Sequence, residues 1–587
     1  MNPTSTSSPD GLPVKFFQTF WDIIKPEVMA LFEEFFVGSI DLTWLNFGII
    51  TLIPKGNPFS LFLFNMVVDA LATILDNAKA VGHIRSIIPH LVGGSGIPLL
   101  QYVDDTIIMV EGSDNDITNL KFLLLCFQQM SGLKINFDKS AEMVLGYSQD
   151  DRQSIADRLN CQLRCFPTTY LGIPISDSRL TVAKLRPTVN KLQHRIEPWQ
   201  GRWLSKAART MLINSSLSSL LLFIMSFYSL PETLHHEIAR VQGRFFWAVE
   251  GDKQKYHMVR WTEICKPCDQ GGLGIMSSKR MNIALLTRWL WRIANGEGGL
   301  WLHIIQQKYF RGQPLAFCQR SGGSQFWQSI IQLLPVLRLG TSTVVGSGTS
   351  TLFWFDRWAG DAPFATRFPD LFAIAVEPRI SVEVALIDLG NLAFRRPFGP
   401  AENASWQDLL ECIALHELTL ENGDDRAMWR LEPSGQFSTK SLYQAIAATP
   451  GPEAVTIIWE IRLPLKIRIF LWQWIRGRLP FGVEVLKRNG PGDGVCPLCG
   501  TMEDSNHIFF TCVSAQFLWS CFREVMRGSW DHNNFPVLFA ELQALPPTTR
   551  HIRWLAIGVL AWTLWTIRNK LVIQRIPLRR ATDAVFK

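Results

Sequence analysis

Cys496-x2-Cys499-x7-His507-x4-Cys512 constrains this chain more than any other stretch of it. Three thiolates and one imidazole at such spacing suit a closed, tetrahedral Zn²⁺ site, with no ligand position left for a reacting water. The zinc is therefore expected to be structural; chance adjacency of the four residues is the competing reading. Gly490, Pro491, Gly492 and Gly494 supply a turn ahead of the cluster. The apolar set from Gly490 to Trp519 is small, chiefly Ile508, Phe509, Phe510, Phe517 and Leu518. An ion that adds an apparent ~10–16 kcal/mol in finger peptides would compensate for so small a set. The four side chains should then converge, with sulfurs roughly 3.5–4 Å apart. Cys265-x2-Cys268 has no second pair nearby and reads as two ordinary thiols. The glycine run after it, Gly271-Gly272-Leu273-Gly274, lacks the Lys-Ser/Thr of a phosphate loop.

Composition limits the rest. At about 100–200 residues per domain, 587 residues suggest several structural units. Hydrophobic residues at 47% and charged residues at 19% exclude a disordered chain. A net charge of +7 permits a nucleic-acid partner without requiring one. Eleven cysteines, an odd number, do not form a disulfide scaffold. Met1–Pro9 has neither the basic nor the apolar region of a secretory signal, which favours a reducing compartment. Thr210–Leu230 is uncharged but rich in serine, and Trp554–Ile567 is short of the roughly 20 residues a membrane span needs. No membrane partner is expected; oligomeric state is not readable.

Helical spacing runs through residues 60–80, 115–131, much of 180–250 and 551–577. A hairpin signal stands at Pro433-Ser434-Gly435. Two apolar strands, Pro98–Tyr102 and Thr106–Val110, flank the adjacent carboxylates Asp104 and Asp105. A hairpin holds such a turn at a sheet end, where the carboxylates can face a cleft. Hard oxygen ligands of this kind suit Mg²⁺. A lone Asp-Asp pair is otherwise an ordinary solvated turn. The fold class is α+β, with several domains.

The motifs that follow the acidic turn carry a resemblance. Gly132-Leu133-Lys134-Ile135-Asn136 comes after a helix, and Tyr170-Leu171-Gly172-Ile173-Pro174 forms a short hairpin element. With Tyr102-Val103-Asp104-Asp105 they stand in the order found in the reverse transcriptases of plant LINE-type non-LTR retrotransposons, which the chain resembles nearly end to end. Ser8-Pro9-Asp10-Gly11 looks like the family's fingers motif and Ile49–Lys55 like the strand after it. Gly56-Asn57-Pro58-Phe59-Ser60-Leu61 looks like its template-contacting Gly-Asp-Pro-Leu-Ser-Pro motif. The resemblance implies an RNA-directed DNA polymerase, with an RNA template, a DNA primer and Mg²⁺ on Asp104 and Asp105. It also implies a downstream zinc-binding domain in which Glu503 fills an acidic position between the ligand pairs. Nuclear location is suggested by the resemblance alone.

The departure from the family is internal. A long segment, carrying the palm strand with the first catalytic Asp, normally separates the Ile-Pro-Lys strand from the template motif. Here Lys55 is joined directly to Gly56. Asp22, Asp41 and Asp69 do not replace the lost residue. Because phosphoryl transfer rests on positioning and charge neutralisation, the chain is expected to be catalytically defective. The organisation expected is a fingers remnant over 1–55, a partial palm over 56–180 and a helical thumb-like region over 181–260. A Trp-rich mixed α/β connector over 261–450, a zinc-binding domain over 451–530 and a helical tail over 531–587 complete it. Lys206 and Arg209, opening the thumb-like helix, are candidates to face a duplex backbone. Lys466, Arg468, Arg476 and Arg478, interleaved with Trp459, Phe470 and Trp472, are candidates to hold phosphates and stack bases. The alternative for each is a solvated cation on an amphipathic helix with an aromatic core face.

Overall fold

The computed structural model describes residues 58–88, 99–102, 105–199, 204–247, 257–318, 322–416, 423–447, 452–526 and 533–576, with Pro26 and Gly96. The expected fingers remnant over 1–55, Asp22, Asp41, Asn57 and the catalytic candidate Asp104 lie outside the described residues. The architecture is mixed helix and short strand, in more than one domain. Two compact units emerge: Met1–Thr168 with Gly298–Lys308, and Thr169–Glu297 with Tyr309–Lys587.

In the first unit, α1 (Pro58–Ala80) buries Val68, Leu71, Leu75 and Ala78, one helical face at i, i+3, i+7 and i+10. They meet Leu120, Leu124 and Phe127 of α2 (Asp114–Ser131). Ser113 caps α2 by accepting the Asp116 N–H, and Gly132 at φ +70° ends it in the left-handed conformation. Strands β1 (Leu99–Tyr102) and β2 (Asp105–Ile108) pair antiparallel, with Tyr102 opposite Asp105. Two short apolar runs produce this hairpin, as the sequence predicts, but the second strand opens at Asp105 rather than at the expected Thr106.

The second unit holds a large core built from distant parts of the chain. Helices α3 (Val182–Ile196), α4 (Lys206–Met225, with a π turn at Ile213–Leu217) and α5 (Glu232–Trp247) pack in it. So do α6 (Leu465–Ile475) and α7 (Pro547–Val572). By length and composition α4 could cross a membrane. Its Ile213, Leu217, Leu221 and Met225 are wholly buried in this core. A second core joins Phe353, Trp354, Trp358, Phe364 and Phe368. Asp356 serves it: its carboxylate accepts from Arg338 Nε at 2.8 Å and from the Leu352 N–H at 2.7 Å.

The hairpin expected at Pro433-Ser434-Gly435 is corrected. The turn forms, with Gly435 at φ +70°, but the chain beyond it enters a helix, Thr439–Ile446, capped by Ser438. Strand Arg426–Trp429 pairs instead with Thr341–Val344, antiparallel, with Thr341 opposite Trp429. Trp429 explains the choice. Its ring lies where a Cβ on Gly340 would stand 2.4 Å away, so only glycine admits the indole there.

One buried titratable group makes stability depend on pH. His235 on α5 is 7% exposed, and its Nδ1 lies 2.9 Å from Ser278 Oγ. Burial pushes its pKa down to about 4. The unfolded chain, at about 6.5, takes up the proton first, so stability is whole above pH 6.5 and falls as pH drops towards 4. A loss of about 3 kcal/mol across that window is expected from the shift at ~1.4 kcal/mol per unit. Urea unfolding between pH 7 and 4 measures it. His235→Gln should flatten that part of the profile, and an unchanged profile would contradict the assignment.

Candidate metal centre

The cluster is assembled from two tight turns laid against the second unit's core. In the first, Val495 bridges antiparallel to Met502. The Cys496 N–H donates to Thr501 O at 2.8 Å, and the Gly500 N–H returns to Cys496 O at 2.9 Å. Gly500 sits at φ +73°, left-handed backbone that glycine adopts without strain. Cys496 and Cys499 thereby project from one bend. The second turn is a single π-helical turn, His507–Thr511. Asp504 Oδ1 caps it by accepting the His507 N–H at 2.7 Å. The Cys512 N–H closes it onto His507 O at 2.8 Å. Cys512 then has extended backbone, φ −63° and ψ 146°, and leads into helix Val513–Met526. Ile508, Phe509 and Phe510 are buried in the core; the Phe509 ring lies tilted against Trp474, centroids 4.4 Å apart, and 6.5 Å from Trp565.

The four donor atoms lie within 4.8 Å of one another. Cys496 Sγ stands 3.9 Å from Cys512 Sγ, and Cys499 Sγ stands 3.2 Å from His507 Nε2. The sulfur separation falls in the range that tetrahedral zinc demands. Cys496, His507 and Cys512 are buried, Cys499 exposed. Ser514 Oγ donates towards Cys512 Sγ at 3.4 Å. Burial pushes the Cys496 thiol up, so a thiolate there needs a cation's charge beside it. Soft thiolates with one imidazole and no open position fit Zn²⁺ in a structural role. Among the described residues this is the only group of three or more metal-ligating side chains that converges.

The other candidates are placed differently. Asp105 is exposed at the start of β2, opposite an exposed Tyr102. Arg209, 4% exposed, gives its guanidinium to Leu204 O at 3.1 Å and Phe245 O at 2.8 Å. Lys206 donates to Gln473 Oε1 at 2.9 Å and lies 5.1 Å from the Trp247 ring; burial pulls its pKa down to about 8. Arg468 donates to Trp459 O at 3.3 Å and stacks over the Trp459 ring. Arg476 donates to Gly271 O at 2.6 Å and stacks over Trp472. Lys466 and Arg478 stay exposed. These six cations therefore share no single exposed face. The reason is α6 itself, which buries Ile467, Ile469, Phe470, Leu471, Trp472 and Trp474 almost all round, so its cations reach for nearby carbonyls and rings. Gly271 is an anchor point in this arrangement: its carbonyl also accepts Trp472 Nε1 at 2.7 Å. The pair Cys265 and Cys268 are free thiols, pushed up by burial to about 12 and about 11.

Two long-range partnerships carried no sequence signal of their own. The loop Gly346–Thr351 closes around Asp425, whose carboxylate accepts the N–H groups of Gly346, Gly348 and Ser350. The hydroxyls of Ser350 and Thr351 complete the cradle. Glu503, legible as an acidic position beside the ligands, is paired with Arg568 on α7, a contact no local pattern announces.

Comparison with known proteins agrees with the metal geometry. Residues 437–519 match the family described as zinc-binding in reverse transcriptase. A protein of Arabidopsis thaliana named "Putative ribonuclease H protein" is 26% identical over 366 residues, 59% of this chain and 57% of that protein. The chain thus spans little more than half the length of that relative. An uncharacterized mitochondrial protein of Arabidopsis thaliana is 30% identical over 141 residues, 24% of this chain and 92% of that protein. With a converged Cys3His set inside a reverse-transcriptase zinc-binding match, the chain carries a zinc-binding segment related to that of reverse transcriptases and belongs to the family of that mitochondrial protein.

Proposed function

We infer that this is a LINE-type reverse transcriptase whose polymerase chemistry has been lost while its zinc-stabilised core persists. The observation that carries the reading is the junction of Lys55 to Gly56, where the segment with the first catalytic Asp should stand. Two Mg²⁺ ions in a polymerase need several convergent carboxylates. If Asp104 and Asp105 hold Mg²⁺, they do so without that first carboxylate. Among the described residues no set of three convergent ligands includes Asp105. Primer extension on poly(rA)/oligo(dT) with Mg²⁺ is expected to yield no product. Product abolished by Asp104→Ala would restore the enzyme.

RNA template and DNA primer are the partners this reading assigns, with α4 taken as a core helix and no membrane partner. Lys466 and Arg478 are the exposed cations of the six available to phosphates. Binding should therefore be weak in salt dependence, with a log K slope near −1.4 for two single-strand contacts at about −0.7 each. A second reading, a purely structural zinc-containing remnant, is favoured by the internal partners of Arg209, Arg468 and Arg476. Absence of any salt-dependent binding selects it, and a slope several times steeper contradicts both.

A further inference from the structure

The zinc turns are held from behind by one buried carboxylate. Glu503 is 1% exposed and sits between the two ligand pairs in sequence. Its backbone ties the first turn: its N–H donates to Gly494 O at 2.8 Å and its carbonyl accepts the Val483 N–H at 3.1 Å. Its side chain does something else. Oε1 accepts the Gly482 N–H at 3.0 Å and Arg568 Nε at 2.9 Å, and Arg568 Nη2 reaches the same oxygen. The Arg568 side chain is 13% exposed; it stacks over Trp565 at 5.1 Å, and its Nη1 donates to Asn569 Oδ1 at 3.1 Å. The guanidinium is thus fixed on α7 before it meets the carboxylate. Leu564, Ile567 and Leu571 of the same helix line a small cavity with Cys496 and Cys512.

We propose that the Glu503–Arg568 pair is a support for the metal centre, and that Arg568, which lies beyond the matched zinc-binding residues 437–519, is a positioning residue for zinc retention. The physical reason is that metal ligands on short turns are only as fixed as the groups that hold those turns. Replacing such outer partners typically costs 10–100-fold in metal affinity. A buried ion pair broken on one side also leaves a charge without its counter-charge. Zinc held by residues 496–512 therefore depends on one guanidinium carried by a helix that begins at Pro547. The inference rests on the zinc reading and deepens it.

The test uses the full chain, loaded with Zn²⁺ and challenged with a chromogenic chelator. Arg568→Met keeps much of the aliphatic stem and removes the fork; Glu503→Gln keeps the shape and removes the charge. Each is expected to release zinc 10–100-fold faster than the parent chain, with the double variant no faster than the worse single one. Arg568→Lys should recover part of the loss. Ile557→Ala, a cavity on the same helix at a residue that is wholly buried, separates positioning from general loosening: it should leave zinc release nearly unchanged. Release unaltered in Glu503→Gln and Arg568→Met overturns the proposal, as does equal acceleration in Ile557→Ala. If Arg568→Met fails to fold, the isosteric Glu503→Gln decides alone. A folded parent chain that holds no zinc overturns the zinc reading itself, and the proposal with it.

Discussion

Cys512→Ser is expected to abolish stoichiometric zinc binding and to unlock the segment from Cys496 to Thr511. A serine hydroxyl is a poor replacement for a thiolate on Zn²⁺, and three remaining ligands leave the site open. The ceiling on the effect is the apparent ~10–16 kcal/mol of structural zinc in finger peptides. The realised loss is smaller, because Phe509 and Phe510 keep their contacts with Trp474 and Trp519. Cys496 and Cys512 belong to the same core as Phe470 and Trp472, so loosening should spread into α6. Hydrogen exchange should show lost protection at 496–512 and faster exchange in 465–475. Hairpin β1–β2, in the other compact unit, should keep its protection. A strong chelator added to the parent chain should reproduce the pattern, and the variant should no longer respond to chelator. Equal protection in parent and variant would contradict a metal-held segment.

Trp472→Ala is expected to cost about 3–5 kcal/mol, the usual price of removing a large aromatic from a packed interior. Trp472 is wholly buried. Its loss removes the 2.7 Å hydrogen bond to Gly271 O and the ring under Arg476. That bond joins segments some two hundred residues apart in sequence, so the contact is a main tie between the glycine turn and α6. Against a typical total of about 5–15 kcal/mol, such a loss is a large fraction of stability. Trp472→Phe restores most of the volume without the donor and should cost roughly 1–3 kcal/mol. Urea midpoints at constant slope measure both. A change below about 1 kcal/mol in Trp472→Ala would mean the site collapses around the gap.

The metal centre was legible because all four ligands fall in one short stretch, where spacing alone dictates which side chains can meet. The hairpin at Tyr102 and Asp105 was legible for the same reason: two short apolar runs flanking adjacent carboxylates are a local pattern. What could not be read locally was partnership over distance. Glu503 was visible as an acidic position, whereas Arg568 is one of many cations until α7 folds back. The turn at Gly435 was visible, but the partner of Arg426–Trp429 is Thr341–Val344, a pairing fixed by the fit of Trp429 over Gly340. The cations of α6 suggested a binding face because basic and aromatic residues alternate there. A helix buried on nearly every side gives Arg468 an internal acceptor and leaves Lys466 exposed, and periodicity does not reveal how many neighbours a helix has.

The most direct test is the coordination of zinc in the purified 587-residue chain, by elemental analysis and X-ray absorption together. One zinc per chain is expected, with three sulfurs near about 2.3 Å and one nitrogen near about 2.0–2.1 Å. A folded chain without zinc, or a metal surrounded by oxygen ligands, would contradict the account.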